Sequence, residues 1–212
     1  MTRTRIKICG ITRPDDARAA VDLGADALGF VCWPGSPRFI APDRAAAIVR
    51  LLPAFVAAVG VFVDQPLEQI AGVAEAAGLD VIQLHGDEPL DACARAPRRC
   101  IRAVGVAAGF DAGSLAAWPT SILPLLDASD ASRRGGTGRT VDWSLAADAS
   151  RLRRIVLAGG LGPDNVGEAI RAVRPFAVDV SSGVELEPGI KDHARLRAFV
   201  AGVRAADASE EP

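Results

Sequence analysis

The first apolar segment of the chain carries two side chains that can exchange protons. Lys7 and Cys9 lie two residues apart, and the alternation of side chains along a strand places both on the same face. Ile6 and Ile8 then pack on the opposite face. A thiol, whose ordinary pKa is about 8.5, serves as a general base where its surroundings favour the thiolate. Taken alone, Cys9 is better explained as a small core residue, which is the usual role of a free cysteine.

Two aspartates in later apolar segments could complete an acid–base pair. Asp127 closes the segment that begins at Ile122, where its carboxyl group could act as a general acid or cap a turn. Asp179 lies in the last apolar segment. A buried ammonium needs a counter-charge, so Asp179 is the expected partner of Lys7. The residues leave open whether that ion pair is structural or catalytic.

Two glycine-containing segments in the last third of the chain predict a phosphate site. One contains Gly159 and Gly160, and the other contains Ser182 and Gly183. Glycine allows backbone N–H groups to approach an oxyanion closely, and the N-terminus of a helix adds positive potential. Each segment alone could be a simple turn. Together, after the seventh and eighth predicted strands, they indicate phosphate binding.

Three further places along the chain are suited to substrate contact. Arg38 follows the second predicted strand, where its guanidinium could hold a carboxylate through two hydrogen bonds or lie solvated on the surface. His85 ends the fourth strand, where it could touch substrate or satisfy a loop carbonyl, and we assign it no proton transfer. Residues Gly135, Gly136 and Thr137 follow the sixth strand and could form a mobile lid or a flexible linker.

Eight short apolar segments alternate with amphipathic helical patterns along the chain. Segments without a polar face are typical of strands covered on both sides, and hence of a parallel sheet. Eight units, with polar or glycine-rich residues after nearly every strand, favour an α/β fold of one closed (β/α)8 TIM barrel over an open doubly wound sheet. The predicted strands are Arg5–Cys9, Ala27–Cys32, Val56–Val63, Val81–His85, Cys100–Val106, Ile122–Asp127, Ile155–Ala158 and Ala177–Ser181.

The whole chain is expected to form a single catalytic domain. The barrel is predicted over residues 1–204, followed by a short polar tail over residues 205–212. Apolar residues at helical spacing predict helices around residues 45–52, 67–74, 166–173 and 196–203, and weaker patterns predict two more near Phe110–Ala117 and Trp143–Ala149. A helix before these is predicted to start around Thr12 and Pro14 and to stop at Gly24. No change of composition divides the chain.

The composition argues against several classes of protein. The chain has 212 residues and a formal net charge of −2, so no basic field indicates nucleic acid or an anionic membrane. The longest apolar run, from Ala54 to Val63, is too short to cross a bilayer as a helix. The four cysteines fit no usual zinc spacing, and free thiols are expected in a reducing cytoplasm. We expect a cytoplasmic monomer without metal or cofactor.

The ordered set of motifs resembles the phosphoribosylanthranilate isomerase family. The motifs run from the first strand to the start of the last helix, and their order is far more specific than any one of them. They are Lys7-Ile-Cys-Gly-Ile-Thr12, Gly29-Phe30, Ser36-Pro-Arg38, Gly60-Val-Phe62, Gln83-Leu-His-Gly-Asp-Glu88, Leu126-Asp127, Gly135-Gly-Thr-Gly138, Ala158-Gly-Gly-Leu161, Asp179-Val-Ser-Ser-Gly-Val-Glu185 and Pro188-Gly-Ile-Lys-Asp192.

The resemblance implies a step of tryptophan biosynthesis. In that step N-(5-phosphoribosyl)anthranilate, an aminoaldose, becomes the corresponding aminoketose by an Amadori rearrangement. The resemblance assigns the general base to Cys9, the general acid to Asp127 and the grip on the anthranilate carboxylate to Arg38. It assigns the phosphate to the backbone of Gly160, Ser182 and Gly183. Two positioned proton-transfer groups suffice for this chemistry, so no cofactor is implied.

Alternatives come from two classes. Among phosphosugar barrels, a ribulose-phosphate epimerase would need metal-binding histidines inside the barrel. The chain has only two histidines, and one of them, His193, lies early in the last predicted helix, far from any set of ligands. An indole-glycerol-phosphate synthase would need more lysines at strand ends, and an isomerase shared with histidine biosynthesis would use aspartates for both proton transfers, which Cys9 argues against. A non-catalytic barrel that only binds a phosphorylated ligand would have no use for both Cys9 and Asp127 beside a phosphate site.

Overall fold

Eight parallel strands form a closed barrel in the order in which they follow one another along the chain. The structure is a computed structural model that describes residues 3–107, 109–128 and 141–209. The predicted α/β barrel is thereby confirmed, with strand ends within about two residues of expectation. The strands are β1 (Arg5–Cys9), β2 (Ala27–Val31), β3 (Ala57–Phe62), β4 (Val81–Leu84), β5 (Arg99–Val106), β6 (Ile122–Ala128), β7 (Val156–Leu157) and β8 (Ala177–Val180).

Helices follow the strands and cover the outside of the barrel. Proline lies in the first turn of the first two helices, where its missing N–H costs no hydrogen bond. Asp142 and Asp192 cap two later helices by accepting backbone N–H groups. The helices are α1 (Pro14–Asp22), α2 (Pro42–Val49), α3 (Leu67–Ala77), α4 (Leu90–Arg95), α5 (Trp143–Leu152), α6 (Val166–Val173) and α7 (His193–Ala208).

The core divides into an outer layer and a barrel interior. Ile6 and Ile8 of β1 lie fully buried in the large cluster between strands and helices. Cys9 instead packs with Val31 and Val61 in a separate cluster. The predicted alternation along β1 is therefore confirmed, and it is the reason that the Cys9 side chain lies on the inner side of the barrel.

Three segments within residues 1–204 differ from the sequence predictions. The helix expected near Phe110–Ala117 is a 3₁₀ helix over Ala112–Ala117, because Gly113 weakens an α-helix and Asp111 caps the tight turn by accepting the Gly113 N–H. Helix α4 was not predicted. Neither was the antiparallel hairpin of β9 (Glu185–Glu187) and β10 (Ile190–Lys191), which follows a 3₁₀ turn over Ser182–Val184.

The C-terminal helix is longer than expected. Helix α7 continues to Ala208, so the first four residues of the predicted tail are helical. Asp207 fixes this end, since its carboxylate accepts hydrogen bonds from the backbone N–H and the hydroxyl of Thr4. Within the described ranges, no helix has both the length and the apolar character needed to span a membrane.

Candidate active site

Lys7 and Asp179 form a buried ion pair where β1 and β8 close the barrel. The two residues are direct neighbours in the register of these strands, and Nζ of Lys7 lies 2.8 Å from Oδ1 of Asp179. Both side chains are more than nine-tenths buried. The ion pair predicted from the burial of Lys7 and the closure of the barrel is thus present. Burial opposes the charge of Lys7, but Asp179 and the neighbouring Cys9 hold its pKa above the ordinary value.

Cys9 ends β1 in a buried position beside two ammonium groups. Burial raises the pKa of its thiol above the ordinary value; Lys7 and Lys191 act in the opposite direction, and Asp179 adds to the increase. The sulfur has room because β2 carries Gly29 alongside, where a Cβ atom would lie 2.7 Å from Sγ of Cys9. The site therefore holds a thiol whose ionisation depends on its charged neighbours.

Asp127 lies near the end of β6, in contact with a histidine from β4's end. Its Oδ1 accepts the backbone N–H of Ala128 at 2.8 Å, and its Oδ2 lies 3.2 Å from Nε2 of His85. The other ring nitrogen of His85 lies 2.8 Å from the side-chain amide nitrogen of the buried Gln83. His85, for which the sequence left two roles open, thus contacts the candidate acid directly.

Arg38 lies in a cluster of three charged side chains. Its guanidinium binds the carboxylate of Glu185, with Nη2 2.7 Å from Oε2, and Lys191 lies 2.8 Å from Oε1 of the same carboxylate. Burial raises the pKa of Glu185, but hydrogen bonds and charge from Arg38 and Lys191 outweigh it, so the net shift is downward. The carboxylate is accordingly ionised. Arg38 is not the free surface arginine that its sequence context allowed.

Residues of the two glycine-containing segments line an open cavity of about 710 Å³. Gly160, Ser182 and Gly183 line it, as do residues at the start of α7. Backbone approaches backbone closely there, because a Cβ at Gly183 would lie 2.0 Å from the carbonyl oxygen of Leu161. Gly159, the fourth predicted phosphate residue, instead packs against Asp127, where a Cβ would lie 3.0 Å from Oδ1.

Comparison with known proteins gives one consistent result. The sequence model described as N-(5'-phosphoribosyl)anthranilate (PRA) isomerase matches residues 6–202. An N-(5'-phosphoribosyl)anthranilate isomerase of Pelobacter propionicus is 50% identical over 196 residues, which cover 92% of this chain and 93% of the relative. The chain belongs to the phosphoribosylanthranilate isomerase family.

Solved structures agree with this assignment. The structure of mutually generated monomers of the dimeric phosphoribosylanthranilate isomerase of Thermotoga maritima is 42% identical, with a TM-score of 0.85 over 95% of this chain and 99% of that one. A phosphoribosylanthranilate isomerase in complex with reduced 1-(o-carboxyphenylamino)-1-deoxyribulose 5-phosphate is 43% identical, with a TM-score of 0.84 and the same coverage.

The family residues converge on one rim of the barrel. Cys9 and Asp127 both lie at the carboxyl ends of their strands, which are three apart in the closed order β1-β8-β7-β6. The predicted lid residues Gly135, Gly136 and Thr137 lie outside the described residues. Across the part of the chain that the structure describes, no cluster of three or more side chains is arranged to hold a metal ion.

Three polar residues of the site lie in the sequence motifs, but their types and spacing alone predict no role for them. Gln83, Glu185 and Lys191 are all buried, and each contacts a residue that the sequence had singled out. The available signal was charge in an otherwise apolar or turn-forming segment. Their partners could not be read from the sequence, because the two hairpin residues reach the site through a connection without a clear strand pattern.

Proposed function

We propose that Cys9 is the general base and Asp127 the general acid of an Amadori rearrangement on this barrel. Membership of the family makes the chain an N-(5'-phosphoribosyl)anthranilate isomerase, an aldose–ketose isomerase of tryptophan biosynthesis. The observation that carries the proposal is the convergence of a thiol, a carboxyl group and a glycine-lined cavity on the same rim. Such barrels carry their active sites on this face.

The first step opens the sugar ring. Asp127 donates its proton to the ring oxygen, the bond from that oxygen to C1 breaks, and the electron pair of the substrate nitrogen forms a protonated Schiff base. His85 touches the carboxyl group that gives up this proton, at 3.2 Å. A positioned acid of this kind typically contributes about 10²–10⁴-fold to the rate.

The second step moves a proton away from C2 of the sugar. The thiolate of Cys9 takes this proton, and the electrons of the broken C–H bond form a double bond between C1 and C2 while the iminium nitrogen is neutralised. The resulting enolamine then exchanges protons with solvent, gaining one at C1 and losing the one on its C2 hydroxyl, which yields the ketone. The thiol of Cys9 releases the proton that it took and the carboxylate of Asp127 takes one up, so that both groups return to their starting forms. The ammonium groups of Lys7 and Lys191 favour the thiolate that this step requires.

Binding is assigned to the two ends of the substrate. The guanidinium of Arg38 holds the anthranilate carboxylate, and the backbone of Gly160, Ser182 and Gly183 holds the phosphate. The glycine-lined cavity supports the assignment of the phosphate, because glycine has no Cβ atom and its backbone N–H group can approach an oxyanion closely. Gly159, which lies beside Asp127, is proposed together with these residues for phosphate binding.

We also propose that the protein acts as a cytoplasmic monomer. Every residue assigned to the site belongs to one chain, so the mechanism needs no second copy. Light scattering should return the mass of one chain, 22.0 kDa, and twice that mass would refute the monomer.

Cell fractionation tests the proposed cytoplasmic location. It should recover the protein with cytoplasmic enzymes, and recovery elsewhere would refute that location.

The assay for the activity is the loss of phosphoribosylanthranilate fluorescence. Substrate generated enzymatically should lose its fluorescence on addition of this protein, without added metal or nucleotide and in the presence of a chelator. A preparation that is inactive on this substrate contradicts the proposed function. A preparation that stops in chelator and recovers with a divalent metal contradicts the proposed mechanism.

A further inference from the structure

We propose that Glu185 and Lys191 are positioning residues for the substrate carboxylate. Glu185 holds one edge of the Arg38 guanidinium and leaves the other edge for the substrate, and Lys191 restores the positive charge that Glu185 would cancel. The inference rests on the proposed role of Arg38. It adds two residues, one that orients Arg38 and one that sets the net charge beside the carboxylate.

The hydrogen bonds divide the Arg38 guanidinium into two edges. Nε lies 3.0 Å from both carboxylate oxygens of Glu185, and Nη2 lies 2.7 Å from Oε2. These contacts use the Nε–Nη2 edge. None of the hydrogen bonds among the described residues uses Nη1. A guanidinium presents its five N–H groups in a rigid fork, so a second carboxylate can bind the Nη1–Nη2 edge in the same bidentate way.

The charge of the cluster requires Lys191. Arg38 and Glu185 alone would be neutral overall and would attract a carboxylate weakly. Lys191, whose side chain is fully buried, lies 2.8 Å from Oε1 of Glu185. Burial lowers the pKa of Lys191, while the charge and hydrogen bond of Glu185 act against that decrease. Two cations and one anion leave one positive charge beside the proposed carboxylate position.

Lys191 also connects this cluster to the rest of the site. Its ammonium donates to the backbone carbonyl of Cys9 at 2.5 Å and to that of Ser181 at 3.3 Å. It therefore ties the end of β1 to the end of β8. The hairpin that carries Lys191 is itself held by the Thr12 hydroxyl, which donates to the carbonyl of Gly189. Lys191 thus contacts the backbone of the proposed base, the backbone next to the phosphate segment and the carboxylate that holds Arg38.

Stability alone explains the cluster poorly. Buried ion pairs lose about as much by desolvation as they gain by attraction, and apolar replacements are often neutral or stabilising. A cluster that combines a fixed guanidinium edge with one net positive charge has the properties that recognition of a carboxylate requires. The geometry therefore indicates recognition of the substrate.

The test compares two ligands that differ only in the carboxylate. One is reduced 1-(o-carboxyphenylamino)-1-deoxyribulose 5-phosphate, and the other is the same compound built on aniline. Dissociation constants are measured by calorimetry for the unmodified protein, for Glu185→Gln and for Glu187→Gln. Glu187 lies on the same strand but is exposed, which makes it the matched control.

Positioning and simple electrostatics predict opposite changes in the affinity of Glu185→Gln for the carboxylate ligand. Glu185→Gln raises the charge of the cluster, so simple electrostatics would tighten binding of the carboxylate ligand. Positioning predicts the reverse, a weakening of roughly ten- to a hundredfold, with the aniline ligand and the Glu187→Gln variant nearly unchanged. Binding of the carboxylate ligand by Glu185→Gln as tight as, or tighter than, that of the unmodified protein overturns the inference.

A second variant covers the case in which Glu185→Gln does not fold. Glu185→Asp keeps the charge of the cluster but shortens the side chain by one methylene group, so its carboxylate no longer holds the Nε–Nη2 edge of Arg38 in place. It should lose affinity for the carboxylate ligand alone, and unchanged affinity overturns the inference. If the unmodified protein itself does not distinguish the two ligands, the proposed role of Arg38 fails; if it does, and both variants keep the preference, only the positioning role fails.

Discussion

Cys9 has to ionise in surroundings that oppose ionisation. Burial raises the pKa of the thiol, and the two nearby ammonium groups of Lys7 and Lys191 counteract part of that increase. A thiolate of raised pKa is a stronger base but is less populated at neutral pH. The lysines therefore determine how much of the enzyme is active at a given pH.

The pH dependence of kcat/KM should report this balance. The working form of Cys9 is the thiolate, so kcat/KM should increase with pH as the thiol loses its proton. Lys7→Gln removes a charge that lowers the pKa of Cys9, and the ascending limb should move to higher pH. Adding Asp179→Asn removes a charge that raises it, so the double variant should move back toward the unmodified enzyme. A limb that stays in place, or moves to lower pH, in Lys7→Gln contradicts Cys9 as base.

At the scale of elements, the site depends on close approach of β1 and β2. Gly29 pairs with Cys9 in the strand register and leaves the space that the sulfur occupies. A strand with an ordinary side chain at this position would force the thiol, or one of the strands, to move. Gly29 thus contributes to the site because it has no side chain and leaves space for the sulfur of Cys9.

Gly29→Ala should impair catalysis more than folding. The new methyl group would lie 2.7 Å from Sγ of Cys9, so the thiol has to turn away and kcat should decrease by roughly an order of magnitude or more. The control is Gly72→Ala in α3, where a Cβ meets nothing within 4 Å and a gain of about 0.5–1 kcal/mol in unfolding free energy is expected. Unchanged kcat in Gly29→Ala would show that the sulfur position does not matter.

The elements that the sequence predicts are those with a clear hydrophobic pattern. All eight barrel strands were found, because strands covered on both faces are continuous apolar segments. The pairing of Lys7 with Asp179 followed from burial and neighbouring strands. The hairpin carrying Glu185 and Lys191 was missed, because strands of three and two residues have no readable alternation. The contact of His85 with Asp127 was missed since it joins strands that are not adjacent.

At the scale of the whole molecule, the two ends of the chain close the barrel. Strand β8 pairs with β1, and α7 returns along the same side. Thr4 just before β1 donates two hydrogen bonds to the carboxylate of Asp207 near the end of α7, across a sequence separation of 203 residues. Residues that were predicted to be a tail therefore help hold the first strand.

Asp207→Ala should lower the free energy of unfolding. The change leaves the backbone N–H and the hydroxyl of Thr4 without their acceptor, which costs about 1–3 kcal/mol in a partly buried setting. Urea unfolding of Asp207→Ala is compared with that of Arg197→Ala, an exposed position on the same helix. Equal midpoints for the two variants would mean that the C-terminal end of α7 does not contribute to barrel stability.

The roles of Cys9 and Asp127 are tested most directly with substrate deuterated at C2 of the sugar. Cys9→Ala and Asp127→Asn should both remain folded and lose about 10²–10⁴-fold in kcat. Proton removal from C2 should limit Cys9→Ala, so deuterium should slow this variant, whereas Asp127→Asn, limited by ring opening, should be nearly insensitive. Full activity of Cys9→Ala, or a deuterium effect confined to Asp127→Asn, would contradict the assignment of base and acid.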